Sequence, residues 1–229
     1  MKIIGVLGGL GPQATMDFEA RVHAISQQLI APEGNRGYPP MVVLYYRHSP
    51  FLMQGERMPV FPLQPDPRLL AAAKQLGACA DFLVILSNGV HHVQEALEHA
   101  SDLKVLSMIE VTLDEVYKRG WHKVGLLTLG PPTVYSVPLE KQGIAYAGIS
   151  QELAGRLNQA IFRCQAGQED ATDRAITHEA LVALRNQRVD GIILGCTELP
   201  FLLQEEASAP DLLNPAQFLA EAAVRYALE

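Results

Sequence analysis

The chain has 229 residues, enough for one large or two small domains, and its 48% hydrophobic and 19% charged content is that of an ordinary folded globule, not a disordered chain. Its 25 acidic residues against 18 basic ones give a formal net charge of -7, which argues against a broad basic face for nucleic acid and leaves room for a local anion pocket. The longest apolar runs, Phe82 to Leu86 and Ile192 to Leu194, are strand-sized and far short of the roughly 20 residues of a membrane helix, so neither nucleic acid nor membrane is expected as a partner. The opening Met1-Lys2-Ile3-Ile4-Gly5 enters a strand-like pattern without signal-peptide features, and a cytoplasmic protein is expected. Cys79, Cys164 and Cys196 lack the pair spacing of zinc or redox sites and are expected to be thiols.

Strand-like and helix-like segments alternate along the chain. Lys2 to Gly8 reads as a strand, Gln13 to Ile30 as a helix, Met41 to Tyr46 as a strand, Pro67 to Cys79 as a helix and Phe82 to Leu86 as a strand. A helix over Val90 to Ala100, a short strand Lys104 to Leu106, a helix Ile109 to Arg119 and a strand Lys123 to Leu129 follow. Helices from Gln151 to Gln187, broken near Gly167, a strand Gly191 to Gly195 and a last helix Pro215 to Leu228 complete the series. Such alternation predicts a parallel α/β sheet. Between Arg47 and Pro65, a stretch with Gly55 and several prolines is long for a plain connection and reads as an active-site lid or a surface loop.

Two segments repeat in register. Asp81-Phe82-Leu83-Val84-Ile85-Leu86-Ser87-Asn88 aligns without a gap on Asp190-Gly191-Ile192-Ile193-Leu194-Gly195-Cys196-Thr197. Gly5-Val6-Leu7 leading to Gly11-Pro12 likewise aligns on Gly125-Leu126-Leu127 leading to Gly130-Pro131-Pro132. Two similar α/β halves are the simplest account, and they place Ser87 and Cys196 at the carboxyl ends of equivalent strands, where open α/β sheets bind ligands. Facing one another across a cleft, such groups could remove a proton from one side of a carbon and return it on the other.

The residues themselves support this chemistry unevenly. Gly195-Cys196-Thr197-Glu198 lies where a strand turns into the next segment, so backbone N–H groups and a helix N-terminus are expected to favour the thiolate of Cys196; the alternative is a small buried cysteine. Ser87-Asn88-Gly89 offers a hydroxyl, an amide and open backbone suited to holding a carboxylate, but serine is a weak base and needs an activating partner. His91, about a turn beyond, is either that partner or a solvated histidine; His92 beside it is a weaker candidate. Gly8-Gly9-Leu10-Gly11-Pro12-Gln13-Ala14 contains a G-x-G-x-x-A match. However, Tyr45-Tyr46-Arg47 stands where a ribose-binding acid belongs, and Pro12 removes an N–H. What remains is a glycine loop that either gives N–H groups to a small carboxylate or makes a tight turn, while Gly130-Pro131-Pro132-Thr133 could present Thr133 to the same site.

Ile4-Gly5-Val6-Leu7-Gly8-Gly9-Leu10-Gly11-Pro12, Ser107-Met108-Ile109-Glu110, Lys123-Val124-Gly125-Leu126-Leu127 and above all Gly195-Cys196-Thr197-Glu198 resemble the cofactor-independent aspartate/glutamate racemases over nearly the whole chain. The resemblance implies two pseudo-symmetric α/β domains closing on the substrate, residues 1–105 with 213–229 and residues 106–212, with the last helix returning to the first domain. It implies neither pyridoxal phosphate nor metal, a small acidic amino acid as substrate, and a homodimer. It matches Cys196 to the second catalytic cysteine, with Thr197 and Glu198 beside it. Ser87-Asn88-Gly89-Val90-His91 stands where most members have Cys-Asn-Thr-Ala-His, and a branch with threonine at the first position shows that a hydroxyl is compatible with activity there. Arg57 is the best match for an arginine that binds the substrate side-chain carboxylate, with Arg47 competing. Gly130-Pro131-Pro132 and Gln165 replace a Gly-Thr loop and a carboxylate-binding lysine.

The leading expectation is therefore a racemase of aspartate or glutamate in which Cys196 and Ser87 exchange the α-proton on opposite faces, with Asn88, Gly89, Thr197, Glu198, Arg57, Thr133 and Gly9 holding the substrate. Relatives that decarboxylate with a single cysteine in the second half supply one alternative. A racemase-like protein that binds an amino acid or a partner without catalysis supplies the other.

Overall fold

The computed structural model describes residues 1–55 and 58–229. Its contacts divide the chain into two compact units, Met1–Met108 with Ala216–Glu229, and Ile109–Pro215.

The first unit begins with β1 (Ile4–Gly8), α1 (Pro12–Leu29) and β2 (Met41–Tyr45). A two-strand hairpin of β3 (Met53–Gln54) and β4 (Met58–Pro59) then occupies the proline-rich stretch. α2 (Pro67–Gly77), β5 (Phe82–Ile85), a 3₁₀ turn at Gly89–Val93, α3 (Gln94–Ser101) and β6 (Val105–Leu106) follow. The second unit holds most of α4 (Met108–Lys118), then β7 (Lys123–Thr128), α5 (Thr133–Lys141), β8 (Ala145–Ala147), α6 (Gln151–Gln165) and α7 (Ala171–Arg185). β9 (Gly191–Gly195), α8 (Leu199–Leu203), a 3₁₀ turn at Gln204–Ser208 and β10 (Leu212–Leu213) complete it, and α9 (Pro215–Leu228) returns to the first unit. There Tyr226 meets the Phe82 ring edge-on at 4.9 Å between centroids, and Arg21 donates to Gln217 Oε1. Among the described residues no helix is long and apolar enough to cross a membrane.

Each unit is built on a four-stranded parallel sheet, in the order β2-β1-β5-β6 and β8-β7-β9-β10. The all-apolar β1, β5 and β9 are buried along their length, as parallel strands covered by helices on both faces must be. The repeat read from the sequence is kept at the level of register. Gly5 pairs with Leu83 in the first sheet as Gly125 pairs with Ile192 in the second, and Leu83 pairs with Val105 as Ile192 pairs with Leu212. Even the entry turns agree: the Asp81 N–H donates to Ile3 O and its carboxylate accepts from Ile3 N, while Asp190 makes the same two bonds with Lys123.

Six elements were not expected from sequence: β3, β4, α5, β8, α8 and β10. β10 and the hairpin strands have two residues each, and β8 is a three-residue edge strand with two exposed positions, all too short for a period-two pattern to register. α5 contains Pro138, which reads as a helix breaker in sequence. The segment expected as one helix over Val90 to Ala100 is instead the 3₁₀ turn followed by α3.

Candidate active site

In the first unit the candidate residues gather at the carboxyl ends of β1, β2 and β5. Gly9 has φ 81°, and a Cβ there would lie 2.6 Å from the Tyr46 backbone nitrogen, so only glycine lets this loop run against the end of β2. The Gly9 N–H donates to Thr15 Oγ1 at 2.8 Å, and the Thr15 hydroxyl donates to Gly11 O at 3.1 Å. That N–H, expected to face a carboxylate, is thus used inside the turn; a threonine six residues on has no sequence signal for such a role. Arg47 lies over the Tyr45 ring, 5.0 Å from its centroid, and its Nη1 donates to Gly9 O at 3.4 Å. Arg57 lies outside the described residues, so Arg47 is the one of the two candidate arginines whose position is described.

Ser87 is half-buried just past β5, Asn88 is buried and Gly89 is exposed. Among the described residues the Ser87 hydroxyl makes no side-chain hydrogen bond. Neither reading of His91, as the activating partner or as a solvated histidine, describes what is found: the imidazole turns to backbone, with Nδ1 2.9 Å from Ser87 O and Nε2 accepting from Met108 N–H at 3.1 Å. Burial is the largest cause pushing its pKa down, to about 4, so His91 is neutral at pH 7. The neighbouring His92 is exposed.

In the second unit Cys196, Thr197 and Glu198 come together at the end of β9. Gly195 permits this: a Cβ there would meet Thr128 Cγ2 at 2.7 Å and Leu127 O at 3.0 Å, so the strand end closes tightly against β7. The Cys196 thiol, 6% exposed, donates to Glu198 Oε2 at 3.0 Å, and the Thr197 hydroxyl donates to the same oxygen at 3.1 Å. Glu198 itself is 2% exposed. The expected stabilisation of the thiolate is overturned. Burial and then the Glu198 carboxylate push the Cys196 thiol well above its ordinary value, and the backbone hydrogen bond at Glu198 that favours thiolate is outweighed. Glu198, expected to hold substrate, is first of all the partner of Cys196.

Cys164, on α6, is buried with its Sγ 4.0 Å from Glu198 O, and burial with the nearby Glu169 carboxylate pushes its thiol up to about 12. Cys79 lies just beyond α2 and is exposed. Thr133 begins α5, after a loop in which Thr128 Oγ1 donates to Gly130 O. Among the described residues no three His, Cys, Asp or Glu side chains are grouped so as to hold a metal ion.

Known proteins share this arrangement of elements. The broad specificity amino-acid racemase RacX of Bacillus subtilis (strain 168) is 25% identical over 232 residues, covering 97% of this chain and 96% of that protein. An aspartate racemase homologue from Pyrococcus horikoshii OT3 superposes with a TM-score of 0.76 at 24% identity over 100% of both chains. Picrophilus torridus aspartate racemase gives 0.77 at 20% identity over 99% and 94% of the respective chains. The profile of the Asp/Glu/Hydantoin racemase family matches residues 7–223, from within β1 into α9 and through both strand ends described above. The chain therefore belongs to the Asp/Glu/Hydantoin racemase family.

Proposed function

We propose that this protein is a PLP-independent racemase of an acidic amino acid, aspartate or glutamate, acting as a homodimer in the cytoplasm. The observation that carries the reading is the buried thiol–carboxylate pair Cys196–Glu198 at the end of β9. At rest the pair holds one proton, on sulfur. To act as a base, Cys196 passes that proton to Glu198 Oε2 and the resulting thiolate takes the α-proton, leaving the electron pair delocalised into the substrate carboxylate as an enediolate. The Ser87 hydroxyl donates a proton to the opposite face, which is downhill toward so basic a carbon, and solvent then returns a proton to Ser87 and takes away the one left on Glu198. In the reverse direction Cys196 donates from its resting thiol form while Ser87 must act as the base. The two directions therefore have unlike kcat and KM, with their kcat/KM values tied by an equilibrium constant near one.

A second reading is favoured by one observation. Among the described residues the Ser87 hydroxyl makes no hydrogen bond to a base, which suits a lyase that protonates a carbanion from the Cys196 face alone. The test is incubation with each enantiomer of aspartate and glutamate in deuterium oxide, following α-proton loss by NMR with chiral chromatography alongside. Exchange with inversion supports the racemase. Exchange with retention means one working base, and carbon dioxide release from a malonate-type acid without exchange of any of the four identifies the lyase.

A further inference from the structure

Among the described residues both ring nitrogens of His91 hydrogen-bond backbone and no side-chain hydroxyl. Its Nε2 accepts from the Met108 N–H, the first N–H of α4, at 3.1 Å, so Nε2 carries no proton and the Nδ1–H donates to Ser87 O at 2.9 Å. A positive imidazolium is disfavoured there twice over, since it would displace that N–H and would sit at the positive end of the α4 dipole. Met108, the donor to Nε2, is the last residue of the first unit before α4 runs on into the second.

The internal repeat supplies an independent observation. Strand register equates Leu83 with Ile192 and Val105 with Leu212. Counting on from these, His91 falls on Pro200 and Met108 falls on Pro215, the first residue of α9. Proline has no backbone N–H to offer, and a proline side chain accepts nothing. In the half where the N–H is missing, the acceptor is missing too. The histidine is thus tied to the need of one helix start for a partner, and not to the reacting hydroxyl.

We propose that His91 is a positioning residue that holds the Ser87-Asn88-Gly89 loop to the first N–H of α4 as the neutral Nδ1–H tautomer, and that it transfers no proton. Pinning Ser87 O in this way fixes the direction in which the peptide and the hydroxyl leave β5. The kinetic arm of the test rests on the racemase reading, whereas the spectroscopic arm does not.

In the ¹⁵N-labelled full-length protein, long-range proton–nitrogen correlation spectra, assigned with His91→Gln, are expected to show a protonated Nδ1 and a bare Nε2 that do not titrate between pH 8 and 5. A protonated Nε2, or titration near the ordinary value of 6.5, overturns the proposal whether or not the protein is a racemase. In the kinetic arm, His91→Leu is expected to lower kcat about tenfold with a smaller change in KM. His91→Gln, whose amide can donate and accept in a similar span, is expected to recover most of the loss with an unchanged pH profile. Loss of an acidic or basic limb in His91→Gln overturns the proposal by showing that the imidazole carried a proton.

Discussion

The carboxyl ends of β5 and β9 are the same place built twice, and they carry different chemistry. Both strands pair with equivalent neighbours in equivalent register, and both are entered through an aspartate bonded to the strand beside it. At the end of β9 a thiol meets a buried carboxylate, so a proton has somewhere to go. At the end of β5 the residue equivalent to Glu198 is Gly89, and among the described residues the hydroxyl of Ser87 makes no hydrogen bond to a base. The scaffold therefore fixes where the groups stand, while two or three side chains decide whether a strand end has a proton acceptor built in beside it.

Removing the stronger end has the largest expected effect. Cys196→Ala is expected to lower α-proton exchange by about 10³-fold or more with the circular dichroism spectrum unchanged, since a general base contributes on the order of 10²–10⁴-fold. Retained exchange would end the two-base mechanism.

Glu198→Gln separates the two properties of that end. In the proposed mechanism the carboxylate receives the thiol proton, and together with burial it holds the thiol pKa up, so its loss is expected to cut exchange by about 10²-fold while moving the Cys196 pKa down. Ultraviolet titration of the thiolate, taken as the difference from Cys196→Ala, reads the second effect; an upward shift or no shift would contradict the electrostatic account.

Ser87→Cys makes the two ends more alike and is expected to raise kcat/KM about tenfold, the gain available to a better matched acid and base. An unchanged kcat/KM would show that the thiol is not what limits this end.

The smallest expected effect lies at the entry turns. The Asp190 carboxylate accepts from both His122 N and Lys123 N, whereas Asp81 accepts from Ile3 N alone. Backbone hydrogen bonds hold the Asp190 carboxyl below its ordinary value of 3.8. Its contribution is therefore complete above that value and is lost as pH falls through the lowered one. Asp190→Asn is expected to cost about 1 kcal/mol at pH 7 and Asp81→Asn less. Thermal melts should show the Asp190→Asn deficit shrinking near pH 3; a deficit that persists there would mean its origin is packing and not charge.

The sequence by itself determined the parallel α/β class, the duplicated halves and the two strand ends, because buried strands and their flanking turns write short-range, in-register patterns. Asp81 and Asp190, Gly5 and Gly125, Ser87 and Cys196 could each be paired from sequence alone, and the strand register pairs them the same way. The hydrogen-bond partners at those ends were less legible. Tertiary structure decided that the Gly9 N–H is taken by Thr15, that His91 turns from the Ser87 hydroxyl to the Met108 N–H, and that Glu198 raises the Cys196 pKa instead of leaving a thiolate. Each of these depends on which partner reaches a polar group first inside a crowded turn, and on how much water burial removes from it. Neither quantity has a period or a motif, so a one-dimensional reading can pair the two strand ends and still misassign the direction in which their atoms point.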